Sequence, residues 1–584
     1  MITDLRTLPS TAEPARPRRV ADQVARFLAE AGVRHVFGVG GANIEDLYDA
    51  LNEPGTGIRT VVAKHEFSAV TMADGCARTG ARLGVVAATS GGGAMNLVPG
   101  LAEAYASRVP VLALVGQPPT ALEGRGAFQD SSGLAGSLDA LALFGPVSRF
   151  CARVESPDAV GPLLAEAMRR ACSHPQGPAV LLLPKDVQQA AAGALHTAPP
   201  LAADGPDSPP VVVERAARLI RSAGRLLVIA GEGVAAAGAK EDLAELVRRT
   251  GAWVAVTPDA KDVFDNTDRR FAGVAGVMGH PNVRDCLRRA DLCLLVGTRL
   301  PVMARAGLEP ELASTPLVCV DPEPPHPPSA TDLHLSGDLR RTLRRLADRL
   351  APRSLPAPVH AGPVPLATPP GGGTGLSHAA AAAAVADALP PDAHVFVDAG
   401  NAGAGMIHRL PAPSRGRFVV AVGMGGMGYT FGAGIGAALA TGRRTYVLAG
   451  DGSFLMHGME VHTALEYGAP VTFVILNNNA HAMCATRDVI FRGTPHPGNL
   501  FRPANPAAGV AALFPGLDVT AATGAAQLRR ALHRTNAPSR GPALVAVDLD
   551  PAEIPPFLPF LTSAGPRPTD HQENTHEHAT VHVG

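Results

Sequence analysis

The sequence predicts an α/β protein made of three doubly wound, mainly parallel-sheet domains. Three observations lead there. The chain has 584 residues, more than one ordinary core holds. Short apolar runs alternate with helical patterns along most of it, the rhythm of parallel strands joined by crossover helices. Two Pro- and Ala-rich stretches, HTAPPLAADGPDSPP and SLPAPVHAGPVPLATPPGGGTG, cut that rhythm into three blocks.

A polar tail (1–18) precedes the first block, 19–190, whose strand-like runs are VRHVFGVG, IRTVVAKHE, LGVVAATS and VPVLALVGQ. After a linker at 191–210, the second block, 211–352, carries RLLVIAGEG, WVAVTP, DLCLLVGTR and PLVCVDPE. A linker at 353–375 leads to the third, 376–550, with HVFVDAG, RFVVAV, TYVLAGDG, VTFVILNN and PALVAVDL. Blocks one and three share size and strand rhythm, as two related domains would. From 551 to 584 the chain turns polar, and His571, His576, His578 and His582 read as a solvated tail rather than a metal site. The uncharged stretch 418–442 is too glycine-rich for a membrane span and reads as a buried strand plus a tightly packed helix.

Composition narrows the function. With 46% hydrophobic and 18% charged residues the chain is globular. Its 51 basic and 52 acidic residues leave a net charge of −1, so no excess draws it to nucleic acid or an anionic membrane. Seven cysteines show no CxxC spacing, which supports neither a zinc ribbon nor a disulfide framework and suits a reduced cytoplasmic location.

The sharpest chemical signal is GDGSF at 450–454 followed by NNN at 477–479. TYVLAG reads as a strand ending at Gly450 and VTFVILNN as one ending at Asn478, with a helical stretch between. A right-handed crossover makes the two strands parallel. Asp451 and Asn478 then share one carboxyl edge, where open α/β sheets bind ligands. A carboxylate, an amide oxygen and a nearby backbone carbonyl form a hard, all-oxygen set suited to Mg²⁺ beside phosphate. Gly452 and Ser453, opening the helix, offer N–H groups to the same phosphates.

This pair resembles the fingerprint of thiamine-diphosphate (ThDP) enzymes. The resemblance implies that Asp451, Asn478 and the carbonyl of Ala480 hold Mg²⁺, with Gly450, Gly452 and Ser453 beside the diphosphate. Glu66, closing IRTVVAKHE, stands at the family's KHE-type position. It would protonate the pyrimidine ring and so turn the exocyclic amine into a base.

Further motifs, VFGVGGANIEDLYDAL, KHEFSAVTMADGCARTG, VVAATSGGGAMNL, LALVGQPP, GRGAFQD and AVGMGGMGYTFGAGIGAAL, follow one another as in acetohydroxyacid synthases. That resemblance covers about 19–550. It implies that the Gly425 carbonyl holds the aminopyrimidine, Met427 wedges the cofactor into a bent form, and Asn401 lies on the diphosphate side. Phe128 and Gln129 would line the pocket over the reactive carbon, Gln129 as a catalytic residue. Block two is where these synthases hold FAD, and Gly231, Gly233, Arg299 and Asp321 fall near the positions expected for it.

Departures accompany the likeness. Gly40 and Gly92 stand where the family has proline, Met278 stands where histidine is usual, and Arg487 aligns with a tryptophan that sorts the second substrate. Arg149 aligns with a pocket lysine.

The expected activity is a ThDP- and Mg²⁺-dependent carboligase of acetolactate synthase type. It would pass an acyl carbanion equivalent from a 2-oxo acid, pyruvate above all, to a carbonyl acceptor, with Arg487 favouring a polar or anionic one. The alternatives are a 2-oxo acid decarboxylase, a flavin-linked pyruvate oxidase, or a non-catalytic ThDP-binding assembly or regulatory protein. The family's cofactor lies between block one of one chain and block three of another, which implies a homodimer or homotetramer.

Overall fold

The computed structural model describes residues 18–193, 197–198, 201, 205–326, 331–353, 362–537 and 540–563. The four C-terminal histidines lie outside them.

The first sheet comprises β1 (His35–Val39), β2 (Arg59–Val62), β3 (Gly84–Ala88), β4 (Val111–Gln117), β5 (Phe150–Arg153) and β6 (Ala179–Pro184). The second contains β7 (Leu226–Ala230), β8 (Trp253–Val256), β9 (Phe271–Val274), β10 (Leu292–Val296), β11 (Leu317–Val320) and β12 (Thr331–Leu335). The third has β13 (His394–Val397), β14 (Phe418–Val420), β15 (Thr445–Gly450), β16 (Val471–Asn477), β17 (Asp518–Ala522) and β18 (Ala543–Asp548). Their orders are β2-β1-β3-β4-β6-β5, β12-β11-β10-β7-β8-β9 and β14-β13-β15-β16-β18-β17. Every pairing is parallel, as at β15–β16 and β7–β10. Numbered within each sheet, the first and third share one order, 2-1-3-4-6-5. The middle one, 3-2-1-4-5-6 read from β9, is the order of dinucleotide-binding sheets, with its switch point between β7 and β10. All three match the fold class expected from sequence.

The central strands are buried on both faces: β3, β4, β6, β7, β10 and β16 are apolar runs with no exposed position. Sheets covered by helices on both sides produce this pattern. The first and third domains of one chain join through the helices Glu66–Thr79 and Tyr429–Thr441. A Cβ at Gly75 would lie 2.0 Å from the Ala433 carbonyl oxygen, and one at Gly436 would lie 1.9 Å from that of Met72. Glycine is what lets the two backbones touch. The stretch 418–442 is accordingly strand and packed helix, and no helix among the described residues is long and apolar enough to cross a membrane.

Three local expectations are corrected. Glu66 does not close a strand: β2 stops at Val62, and Glu66 opens the helix Glu66–Thr79, capped by His65, whose ring accepts from the Phe67 amide. Asn478 lies one residue beyond β16. The chain beyond Pro551 is not a free tail at once. The Leu558 amide donates to the Val277 carbonyl at 2.7 Å, Glu553 meets His378 at 3.1 Å, and Phe560 is buried.

Candidate active site

At the carboxyl edge of the third sheet, one cleft is lined by Asn401, Met427, Gly450, Asp451, Gly452, Ser453, Asn478 and Ala480. Gly450 ends β15 and caps the helix Asp451–His457, so Asp451 is its first residue and Gly452 and Ser453 its first turn. N–H groups there have no carbonyl one turn back. The three asparagines divide their tasks. Asn477 donates to Asp548 at 2.8 Å, tying β16 to β18. Asn479, at φ 54, turns the chain and accepts from the Ala504 amide at 2.9 Å. Asn478 turns inward.

The Asn478 amide meets Asp451 Oδ1 and the Ala480 carbonyl, each at 3.2 Å. In one amide orientation three oxygens converge with no proton among them; in the other, the NH₂ bridges both. A cation is the alternative that satisfies all three oxygens at once. Asp451 is 3% exposed and makes no ion pair among the described residues. Burial pushes its carboxyl above the usual range, while backbone N–H groups led by that of Asn478 pull it down. A buried carboxylate flanked by neutral oxygens is a donor set that suits a hard cation.

Asn401 opens the helix Asn401–Arg409 and donates to Thr486 Oγ1 at 2.8 Å, and its buried Oδ1 has no partner among the described residues. Met427 Cε lies 3.1 Å from a Cβ position at Gly452, over the helix start. Gly425, at φ 66, precedes it on an exposed loop. Asp398, after β13, accepts from the Gly428 amide at 3.1 Å and from Ser453 Oγ at 2.7 Å. Sequence reasoning missed Asp398, although its place in HVFVDAG, at a strand's carboxyl end, was a visible signal.

The first sheet's carboxyl edge presents a different set. Glu66 Oε2 accepts from Asn96 Nδ2 at 2.9 Å. Gln129 Oε1 lies 3.4 Å from both Thr89 Oγ1 and Ser90 Oγ, on a backbone of φ 59 that a non-glycine residue rarely adopts. Neighbouring Phe128 is 77% exposed. Asn96, Thr89 and Ser90 carried no sequence signal of their own. Arg487, on the helix Ala482–Arg492, is exposed and makes no hydrogen bond or ion pair among the described residues. Arg149 is held against the Tyr105 ring, 4.3 Å from its centroid.

The expected flavin residues lie at the middle sheet's switch point, beside a cavity of about 310 Å³ lined in part by Gly233 and Arg299. The glycine amides of the turn are engaged, while one oxygen of Asp321 has no partner among the described residues. The Gly231, Gly233 and Val234 amides donate to Val296, Gly297 and Gly231 carbonyls at 2.9, 2.9 and 3.0 Å. Glu232, between the glycines, is paired with Arg417 at 2.6 Å. Fully buried Asp321 accepts from Arg108 at 2.8 Å, and Arg299 donates to the Pro324 carbonyl at 3.0 Å.

Comparison with known proteins agrees with the fold. Residues 18–135 match the family described as thiamine pyrophosphate enzyme, N-terminal TPP binding domain. Residues 213–346 match its central domain and 398–547 its C-terminal TPP binding domain. The isozyme 3 large subunit of acetolactate synthase from Escherichia coli (strain K12) is 29% identical over 509 residues, 81% of this chain and 84% of its own. The acetolactate synthase large subunit of Parasynechococcus marenigrum (strain WH8102) is 30% identical over 503 residues, 82% and 80%. A probable acetolactate synthase large subunit of Methanocaldococcus jannaschii is 28% identical over 488 residues, 79% and 80%.

Proposed function

The chain belongs to the thiamine pyrophosphate enzymes, in the acetolactate synthase type, and on that premise we propose that it is a Mg²⁺-assisted carboligase joining a decarboxylated 2-oxo acid, pyruvate first, to a second carbonyl compound. The observation that carries this reading is the trio of Asp451 Oδ1, Asn478 Oδ1 and the Ala480 carbonyl, converging without a positive group in the cleft that holds Met427. Those three oxygens would hold Mg²⁺, which would neutralise a diphosphate beside the Gly452 and Ser453 amides. Thiamine diphosphate, when bound, supplies a sink for the electron pair that a 2-oxo acid leaves behind on losing CO₂.

This chain's residues prepare that site. Glu66, steadied by Asn96, would exchange a proton with a ring nitrogen of the cofactor. Met427 and the Gly425 carbonyl would support the aminopyrimidine, and Asn401, whose buried oxygen has no partner among the described residues, would lie on the diphosphate side. Phe128 and Gln129 would shield the reacting carbon from water. Arg487, without a partner of its own, would contact a polar or anionic acceptor. Flavin has no part in the proposal, because the proposed step moves no electrons to an external acceptor.

A second copy of the chain completes the reading. Phe128, Leu134 and Leu138 near the first sheet's edge, and Met424, Leu455 and Met456 near the third's, are each at least 49% exposed. Large apolar side chains clustered about two site halves are what a homodimer would cover.

Incubation with ThDP, Mg²⁺ and pyruvate, with products identified by mass, tests the assignment. Acetolactate or a mixed acyloin is expected. Acetaldehyde alone would support a decarboxylase, acetate with peroxide an oxidase, and binding without CO₂ release a non-catalytic role. Glu66→Gln should lower kcat by about 10²–10⁴-fold while ThDP affinity by calorimetry stays near wild type. Unchanged turnover would remove Glu66 from catalysis.

A further inference from the structure

The loop from β14 to the helix Tyr429–Thr441 carries Gly425 and Met427, and its centre is exposed. Three successive amides of this loop converge on one carboxylate of another domain. Glu103 Oε1 accepts from Gly423 N at 3.1 Å, and Oε2 accepts from Met424 N at 2.5 Å and Gly425 N at 3.2 Å. Glu103 lies on the first domain's helix Gly92–Ala106, is 3% exposed, and is steadied by Ser107 Oγ at 2.7 Å. Successive N–H groups closing on an anion make a nest, and hydrogen bonds to a charged acceptor are the strong ones. Beyond Met427, the Gly428 amide is held by Asp398 at 3.1 Å. Met427 therefore hangs between two carboxylate anchors, one from each domain.

We propose that Glu103 is a positioning residue for the cofactor: by holding the Gly423–Met424–Gly425 amides it sets where Gly425 and Met427 meet the aminopyrimidine. This rests on the thiamine-diphosphate reading above. The helix that carries Glu103 also carries Asn96, the partner of Glu66. The two residues are seven positions apart, two turns and about 10.5 Å along the axis, on one face. In a homodimer whose cofactors lie between chains, this helix would place the proton-exchanging carboxylate of one site and the support loop of the other. A glycine at 423 fits the arrangement, since a Cβ there would lie 2.9 Å from Glu103 Oε1 and 2.8 Å from Ala106 Cβ.

The test is calorimetric binding of ThDP with Mg²⁺ to full-length protein, beside thermal unfolding. Glu103→Gln places an NH₂ against N–H donors and should weaken ThDP binding about tenfold or more. Glu103→Asp, which keeps the charge, should fall between it and wild type. Gly423→Ala, which pushes the loop off its anchor, should reproduce the loss, and it decides the matter if Glu103→Gln does not fold. A purely structural tie would lower the melting temperature and leave cofactor affinity alone. ThDP binding at wild-type strength in Glu103→Gln, or in Gly423→Ala if that variant must decide, overturns the proposal. Wild-type protein that binds no ThDP would instead overturn the reading of the site on which it stands.

Discussion

Gly231–Glu232–Gly233 and Gly450–Asp451–Gly452 are the same pattern in two domains, a glycine–acid–glycine turn between a parallel strand and the helix after it. Their fates differ. Glu232 meets Arg417 through both oxygens, at 2.6 and 2.8 Å, with Arg78 at 3.7 Å, so it joins groups from all three domains. The amides of its turn donate within the turn and to the loop after β10. Among the described residues, Asp451 has no cation beside it and faces neutral oxygens in an open cleft. The first acid is neutralised by the protein and acts as a latch. The second has no such partner among the described residues, and on the proposed reading a bound cation would neutralise it. The motif alone does not separate the two; what surrounds the charge does.

The contrast can be broken experimentally. Asp451→Ala should lower ThDP·Mg²⁺ affinity by about 10²-fold or more with little loss of stability, since the buried charge it removes is unpaired. Calorimetry and melting together report both halves, and a destabilised variant with normal cofactor affinity would make Asp451 a structural residue. Glu232→Ala should do the reverse. It removes one of Arg417's two carboxylate partners, leaving Asp262 at 2.7 Å, and should cost about 2 kcal/mol in denaturant unfolding, with normal cofactor affinity in the folded fraction. Purified protein should carry flavin well below one per chain by visible absorbance. Stoichiometric flavin would show that the middle turn binds despite its latch.

The mildest effect concerns pH. Burial holds His394, His408 and His457 down to about 4, from a usual 6.5. The folded state keeps these rings neutral while the unfolded chain protonates below 6.5. Their contribution to stability is therefore present above that pH and is lost as pH falls toward about 4. His457 packs against Phe67 with ring centroids 4.6 Å apart, beside the Glu66 turn. Unfolding midpoints measured from pH 7 to 4 should fall, and His457→Gln should flatten part of the slope. A flat profile in the wild type would contradict the burial of these rings.

Much of this was legible before any coordinates. The strands in the middle of each sheet were read from their apolar runs because both faces are covered. Edge strands β5, β9, β12 and β17 went unread: one side is open, their sequences are mixed, and FCAR or DVTAA resembles a loop. Strand β6, AVLLLP, was overlooked despite a clear signal. The end of β2 was misplaced because the apolar run passes without interruption into the residues that cap the next helix.

The same division holds at the site, and distance along the chain explains it. Asp451 and Asn478 are 27 residues apart within one strand–helix–strand unit, and the handedness of that unit places both at one edge. A linear reading can reach that far. Glu232 and Arg417 are 185 residues apart, and Glu103 and Gly423 are 320 apart. No periodicity or propensity links such pairs, because they meet only when separately folded domains pack. Local pattern determined the three sheets, the oxygen-rich turn and the acid at the head of the helix. Packing between domains decided which buried charge received a counter-ion and which was left open to a ligand.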